Sequence, residues 1–142
     1  GSRVLDLFAG SGALGLEALS RGAARVCFVE SNRDVLLVLK GNIEMLGVGQ
    51  RTEVRAADAH RLVAGLTGDA ATDWDIVLAD PPYSGDGAMR LVSTFSSTPF
   101  ASILCVEHAS GVHVPSAPCW QRRYGETVLS IFLDPTEGAI HG

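Results

Sequence analysis

The stretch DLFAGSGALG, residues 6–15, joins a short apolar run to a helical pattern. It contains the spacing G-x-G-x-x-G, whose glycines allow the backbone to approach a ligand closely. The run before it, residues 4–9, is rich in strand-forming side chains, and the residues after it keep a helical period to Leu19. A strand, a glycine turn and a helix in this order predict the start of an α/β nucleotide-binding fold.

Strands and helices are expected to alternate through most of the chain. Helical patterns follow Asn32, Asp58 and Gly85, whereas residues 52–57 are less apolar than the earlier strands and are expected near a sheet edge. We therefore predict a three-layer α/β fold with a mostly parallel, seven-stranded sheet that ends in an antiparallel hairpin. The further strands are expected at residues 25–30, 52–57, 74–79, 101–107, 119–124 and 127–133.

Length and composition narrow the class of protein. The 142 residues suit one domain, residues 1–142, with a frayed tail from residue 134, and we expect a monomer. Hydrophobic residues make up 46% without a membrane-length apolar run or a charged leader, so we expect a cytoplasmic protein with no membrane contact. A net charge of −5 argues against broad, nonspecific nucleic-acid binding. The chain starts almost directly at its first strand, which suggests a fragment.

Three acids mark a cofactor site. Glu30 ends the second strand, where an acid can bind both hydroxyls of a ribose, and Asp58 ends the third, where it can meet an adenine amino group. A solvated strand end and a helix cap are the structural alternatives for these two. Asp6 lies inside the first strand, close enough to the glycine turn to receive an ammonium. A methionine moiety carries an ammonium and a carboxylate, so these residues favour S-adenosylmethionine over NAD.

A second turn, Asp80-Pro81-Pro82-Tyr83, follows an apolar strand. Two prolines remove two N–H donors and fix two φ angles, which leaves a rigid surface of hydrogen-bond acceptors. Asp80 adds a carboxylate and Tyr83 a flat ring. This combination suits a planar group that carries an NH2, although a Pro-rich turn that caps a strand is an ordinary structural alternative.

These two motifs together resemble those of the Class I methyltransferases that act on exocyclic amino groups. More narrowly, residues 6–18, the turn at residues 80–83 and RYGET at residues 123–127 are similar to the bacterial small-subunit ribosomal RNA methyltransferase D family. The resemblance implies a Rossmann-like Class I methyltransferase fold, S-adenosylmethionine as cofactor, and N2 of a guanine in 16S rRNA or the small-subunit particle as substrate. That family's basic N-terminal arm has no counterpart here.

The resemblance also implies roles for particular residues. The turn at residues 80–83 would be catalytic, with Asp80 and the carbonyl of Pro81 accepting the amino hydrogens and Tyr83 stacking on the base. Substrate contacts would come from Tyr83, Arg122 and Arg123, although the two arginines are equally explained as a solvated pair. The cofactor would be bound by Asp6, Phe8, Ala9, Gly10, Gly12, Glu30, Ser31, Asp58, Ala59 and Asp80.

Other interpretations of the chain stay open. DNA adenine-N6 or cytosine-N4 methylation, an NAD-dependent oxidoreductase and a non-catalytic cofactor-binding interaction domain are the alternatives. Pro118-Cys119 resembles the nucleophile of cytosine-C5 methyltransferases, but it follows the wrong strand. His108 and His113 are expected to be solvent-facing loop histidines, and neither they nor the three cysteines have metal-type spacing, so no metal site or disulfide is predicted.

Overall fold

The computed structural model describes residues 1–66, 73–83 and 85–136. Seven strands and four α-helices lie in these ranges, with a short 3-10 turn at Gly49–Arg51 that the sequence pattern did not predict. The strands are β1 Arg3–Leu7, β2 Arg25–Glu30, β3 Thr52–Ala56, β4 Ile76–Ala79, β5 Ile103–Ala109, β6 Trp120–Tyr124 and β7 Thr127–Leu133. The helices are α1 Ala13–Ser20, α2 Arg33–Leu46, α3 Ala59–Ala64 and α4 Gly87–Ser97.

All seven strands form one sheet in the order β3-β2-β1-β4-β5-β7-β6. Strands β1 to β5 run parallel, and β7 is antiparallel to both β5 and β6. The predicted fold class is confirmed, including the closing hairpin and the position of β3 at an edge. Because β1, β4 and their neighbours are parallel, their carboxyl ends meet at one edge of the sheet, where ligands bind in such folds.

Two hydrophobic clusters cover the two faces of the sheet. On one face, Leu39 and Ile43 of α2 pack with Val4 and Phe28. On the other face, residues of α4 pack against Leu5, Val77 and Leu104, which are all fully buried. Successive residues of β1 and β2 alternate between the clusters, as the two-residue period of a strand requires. Both faces of these central strands are therefore covered, which explains their continuous apolar sequence.

Several boundaries differ from the sequence prediction. Strand β1 ends at Leu7, two residues early, because Phe8 adopts a left-handed φ of 55°. Strand β4 begins at Ile76, since Asp75 instead exchanges hydrogen bonds with Arg3 through its own N–H and carboxylate. The helical pattern after Gly85 predicts that Met89 points inward. Helix α4 instead starts at Gly87 and Met89 is 41% exposed, so that prediction is wrong.

The ends of the loops and of the chain are only partly described. The sequence pattern predicts a surface loop at residues 65–73. Residues 67–72 of that loop and the last six residues of the chain, 137–142, lie outside the described residues. Asp134, where the tail was predicted to begin, donates its N–H to the carbonyl of Ser102 at 2.9 Å and accepts hydrogen bonds from Thr136. The first residues after β7 are therefore tied to the sheet.

Two negative findings apply to the described ranges. No helix there is both long enough and apolar enough to cross a bilayer. No group of three or more His, Cys, Asp or Glu side chains there is arranged to hold a metal ion. Cys27, Cys105 and Cys119 are free thiols, the first of them buried in the core.

A close approach at Gly15 fixes how α1 sits on the sheet. A Cβ at Gly15 would lie 2.4 Å from a ring carbon of Phe28 and 2.9 Å from the carboxylate of Asp6. We expect Gly15→Ala to lower the free energy of unfolding by about 1–3 kcal/mol, the usual cost of overpacking. Denaturant titration of the purified variant measures this change.

Gly41 provides the matched control, because it lies inside α2 and a Cβ added there would have no other atom within 4 Å. Gly41→Ala should raise the free energy of unfolding by about 0.5–1 kcal/mol through helix propensity alone. Equal effects of the two substitutions would contradict the close packing of α1 against β2.

Candidate active site at the carboxyl ends of the strands

The glycine turn between β1 and α1 is held in an unusual backbone conformation. Phe8, Gly10 and Gly12 all have positive φ angles, 55°, 59° and 90°. This conformation costs little for glycine but is uncommon for a residue such as phenylalanine, and such strain often marks a functional site. The side-chain amide of Asn42 on α2 donates to the carbonyl of Ser11 at 2.9 Å, which fixes the outer side of the turn.

Asp6 supports this turn from beneath. Its side chain is 1% exposed, and its Oδ2 accepts the N–H of Gly15 at 3.0 Å. Burial raises the pKa of Asp6 to about 7, the Gly15 hydrogen bond opposes that rise, and the charges of Asp80 and Glu30 add to it. Asp6 thus holds the first turn of α1 in place. Its contact with a ligand ammonium stays a prediction.

Glu30 holds the same turn from the neighbouring strand. Its Oε1 accepts the N–H of Gly10 at 3.0 Å, and its Oε2 accepts the N–H groups of Ser31 and Asn32 at 3.0 and 2.9 Å. The side chain is only partly buried at the end of β2. A carboxylate offers about four acceptor positions, so Glu30 is rigidly oriented and still has capacity for a hydroxyl.

Asp58 lies at the end of β3 and caps α3. Its Oδ1 accepts the N–H of Arg61 at 2.9 Å, so the capping role considered as the alternative is realised, while a contact with an adenine stays a prediction. Ala59 is 5% exposed in the core. The next residue, His60, packs edge-on against Phe8 with ring centroids 5.4 Å apart, and burial lowers its pKa.

The turn at residues 80–83 follows β4 directly. Asp80 is exposed at the strand end, although partial burial of its carboxyl raises its pKa. Pro81 is buried, which anchors the turn, whereas Pro82 is exposed and Tyr83 is 52% exposed. The hydroxyl of Tyr83 forms a hydrogen bond with that of Thr127 at the start of β7. The hairpin therefore positions the tyrosine ring.

These elements meet at one edge of the sheet. The charges of Asp80 and Glu30 both act on Asp6, and Asp80 also raises the pKa of Glu107, whose main cause of elevation is burial. Acids from β1, β2, β4 and β5 are thus close enough to interact electrostatically. The glycine turn and the Asp80 turn lie side by side, because β1 and β4 are adjacent parallel strands.

The two arginines of β6 are not brought together. Their side chains point to opposite faces of the hairpin, as for any successive strand residues. The guanidinium of Arg122 lies 5.0 Å from the ring centroid of Tyr124. Arg123 donates from Nε to the carbonyl of Gly125 at 2.7 Å and approaches Glu126 at 3.8 Å.

The sequence prediction for His108 is wrong. The residue lies inside β5 and is 3% exposed, with Nε2 at 2.8 Å from the hydroxyl of Ser130, because β5 continues to Ala109. His113 is exposed in the following loop, as expected. Sequence reasoning also missed Thr127 and Glu107 as neighbours of the Asp80 turn. The pairing of β5 with β4 brings Glu107 there, and the pairing of β7 with β5 brings Thr127.

Several known proteins resemble this chain. The family described as conserved hypothetical protein 95 matches residues 1–133. YlbH of Bacillus subtilis, provisionally named an rRNA methyltransferase, is 31% identical over 81% of this chain and 64% of its own length. Ribosomal RNA small subunit methyltransferase D of Escherichia coli strain K12 is 42% identical over 58% of this chain and 39% of its own length.

A solved structure of a conserved hypothetical protein of Streptococcus pyogenes has the same fold. It superposes with a TM-score of 0.78 at 29% identity, covering 94% of this chain and 86% of that one. The chain therefore spans most of this solved relative but less than two thirds of the curated relatives' length.

The raised pKa of Asp6 predicts a pH dependence of stability. Its ordinary value is 3.8 and its value in the folded protein is about 7, so between these pH values the folded state keeps a proton that the unfolded chain releases. Stability from this group is therefore lost as the pH rises through that window and is constant above it. Asp6→Asn keeps an oxygen acceptor for Gly15 but cannot ionise.

We expect the stability of Asp6→Asn, relative to the parent protein, to increase by about 2 kcal/mol between pH 5 and pH 8. Denaturant titrations of both proteins at the two pH values measure this change. Parallel stability profiles for the two proteins would show that Asp6 does not titrate in this range.

Proposed function

The chain belongs to the family of conserved hypothetical protein 95, and from that membership and the site geometry we propose that it is an S-adenosylmethionine-dependent methyltransferase that acts on ribosomal RNA. We propose further that the acceptor is an exocyclic amino group, N2 of a guanine in 16S rRNA. One observation carries this proposal. The carboxylates of Asp6 and Glu30 fix the glycine turn, and this turn lies beside the rigid acceptor turn, whose Asp80 acts electrostatically on Asp6.

The side chains at the strand ends fit the cofactor's chemistry. A methionine carboxylate matches the positive end of α1. One ribose hydroxyl matches the remaining acceptor position of the partly exposed Glu30 carboxylate, and Ser31 follows at the same strand end. An adenine matches Asp58, Ala59 and the ring of Phe8. When bound, the cofactor supplies an electrophilic methyl group on a positively charged sulfur.

The Asp80 turn would act on the acceptor. An aromatic amino group has a lone pair delocalised into its ring, so it is a poor nucleophile until its hydrogens are held and its nitrogen is aimed. The carboxylate of Asp80 and the carbonyl of Pro81 would accept the two hydrogens, while Tyr83 would stack on the base. Orientation of this kind lowers barriers by up to about 7–11 kcal/mol in favourable cases.

Asp80 would also accept the proton that the amino group loses. Its raised pKa makes it a stronger base than an exposed carboxylate. Glu107, whose pKa is raised partly by Asp80, would help to hold that proton near the strand ends. The base itself must be unpaired or flipped out of its helix to reach this turn.

The test of this proposal is methyl transfer with radiolabelled cofactor to 16S rRNA or small-subunit particles from cells that lack the gene, followed by mass mapping of nucleosides. We expect N2-methylguanosine. Asp80→Asn should keep cofactor affinity but lower the rate by at least about a hundredfold, because it removes the proton acceptor. Asp86→Asn, on an exposed residue at the start of α4, is the control.

Different products would change the conclusion. N6-methyladenosine or N4-methylcytosine as the sole product would refute guanine N2 but retain an amino acceptor. Full activity of Asp80→Asn would remove Asp80 from catalysis.

A further inference from the structure

A cleft lies beside the acceptor turn, on the face of the hairpin opposite Arg122. It has a volume of about 790 Å³, within the range of small-molecule sites. The loop after β5 forms one wall through Val114, Pro115 and Pro118, and the hairpin forms the other through Gln121 and Arg123. Of the cofactor and substrate residues named above, Arg123 is the one that lines this space.

The described side chains that line the cleft include one guanidinium and no carboxylate, whereas the chain as a whole is acidic. None of the described residues that line it is an Asp or Glu, although the whole chain has a net charge of −5. Arg123 supplies a guanidinium, and His113 an exposed imidazole. Arg123 approaches the carboxylate of Glu126 at 3.8 Å, and because both side chains are largely exposed this pair is weak. Arg123 can therefore exchange this partner for an anionic group.

The floor of the cleft is preorganised. The amide of Gln121 donates to the hydroxyl of Ser130 at 2.8 Å, and that hydroxyl can donate to Nε2 of His108 at 2.8 Å. Nδ1 of His108 then donates to the carbonyl of Ala109 at 3.0 Å. One set of proton positions satisfies all three hydrogen bonds. The amide oxygen of Gln121 takes part in none of them, so it is held in a fixed orientation and can still accept a hydrogen bond.

The cleft adjoins the acceptor turn. His108 and Val112 line both the cleft and the small cavity formed by Pro81, Pro82 and Tyr83. A ligand in the cleft would thus be separated from the cavity beside Tyr83 by His108 and Val112.

We propose that this cleft binds a nucleotide adjacent to the methylated one in single-stranded RNA. Its apolar wall would face the base, and Arg123 would face the phosphate. This inference rests on the proposed function, since it takes the Asp80 turn as the site of the target base. It assigns different roles to the two arginines, because Arg123 contacts RNA and Arg122 does not.

The test is a titration of the ¹⁵N-labelled protein with the single-stranded RNA r(UUGUU), followed by NMR amide shifts. We expect shifts at Val112, His113 and Val128. Arg123→Gln should weaken binding about tenfold, the scale of one charge-assisted contact, and should reduce the salt slope by about 0.7. The matched control Arg25→Gln, on an exposed arginine at the start of β2, should leave affinity and slope unchanged.

Arg123 also bonds to Gly125, so Arg123→Gln removes a contact within the hairpin turn. A second variant therefore tests the cleft without changing that contact. His113→Glu places a carboxylate in the cleft from the opposite wall and should weaken RNA binding with an unchanged unfolding midpoint. Shifts confined to the Arg122 face, equal losses in both arginine variants, or the same shifts with inorganic phosphate alone would each overturn the proposal.

Failure of the cleft proposal can be distinguished from failure of the proposed function. Methylation of rRNA with an unchanged affinity for r(UUGUU) in Arg123→Gln would overturn the cleft and leave the methyltransferase proposal standing. Binding of r(UUGUU) in the cleft without methyl transfer to any RNA would support the cleft and refute the enzyme.

Discussion

The hydrogen bond from Gly15 to the buried carboxylate of Asp6 is the contact on which the rest of the site depends. It joins the middle of β1 to the first turn of α1, so the glycine turn between them has fixed ends. No side chain larger than hydrogen fits at Gly15, because Phe28 and Asp6 both crowd it. Glu30 then binds Gly10 from β2, and the turn is held from two strands. Its left-handed residues follow from these constraints.

The parallel sheet turns this local arrangement into a site. Burial is the main cause of the raised pKa of Asp6, and because β1, β2 and β4 end at one edge, the charges of Asp80 and Glu30 add to it. The antiparallel hairpin contributes differently, because Thr127 reaches back to Tyr83 and steadies the acceptor turn. The cofactor half and the acceptor half of the proposed enzyme thus depend on two kinds of strand pairing, one parallel and one antiparallel.

The sequence predicted what is encoded locally. The glycine spacing, the helical period of α2 and the two-residue hairpin turn each determine their own element, and the resemblance to the methyltransferase D family, drawn from residues 6–18 and 80–83, is confirmed by the comparisons. The main errors of the sequence prediction concern the ends of strands. Strand β5 runs two residues beyond its predicted end, which moved His108 from a predicted loop into the sheet.

Contacts between distant residues could not be predicted from one sequence. The bonds of Asn42 to Ser11 and of Tyr83 to Thr127 join residues 31 and 44 positions apart, and no local pattern marks either pair. The burial of Asp6 also depends on α1 packing above it. The position of Asp6 inside an apolar strand predicted a role at the glycine turn. The packing of α1 above it decides which backbone amide its carboxylate faces, and one sequence does not show that packing.

We propose that the glycine turn and Glu30 form a site for S-adenosylmethionine and not for a dinucleotide. Calorimetric titration with S-adenosylhomocysteine and with NADH tests this most directly. We predict saturable binding of S-adenosylhomocysteine, weakened by about 1.5–3 kcal/mol in Glu30→Ala, the scale of hydrogen bonds to a charged group, and no binding of NADH. Binding of NADH in preference, or an unchanged affinity in Glu30→Ala, would contradict the claim.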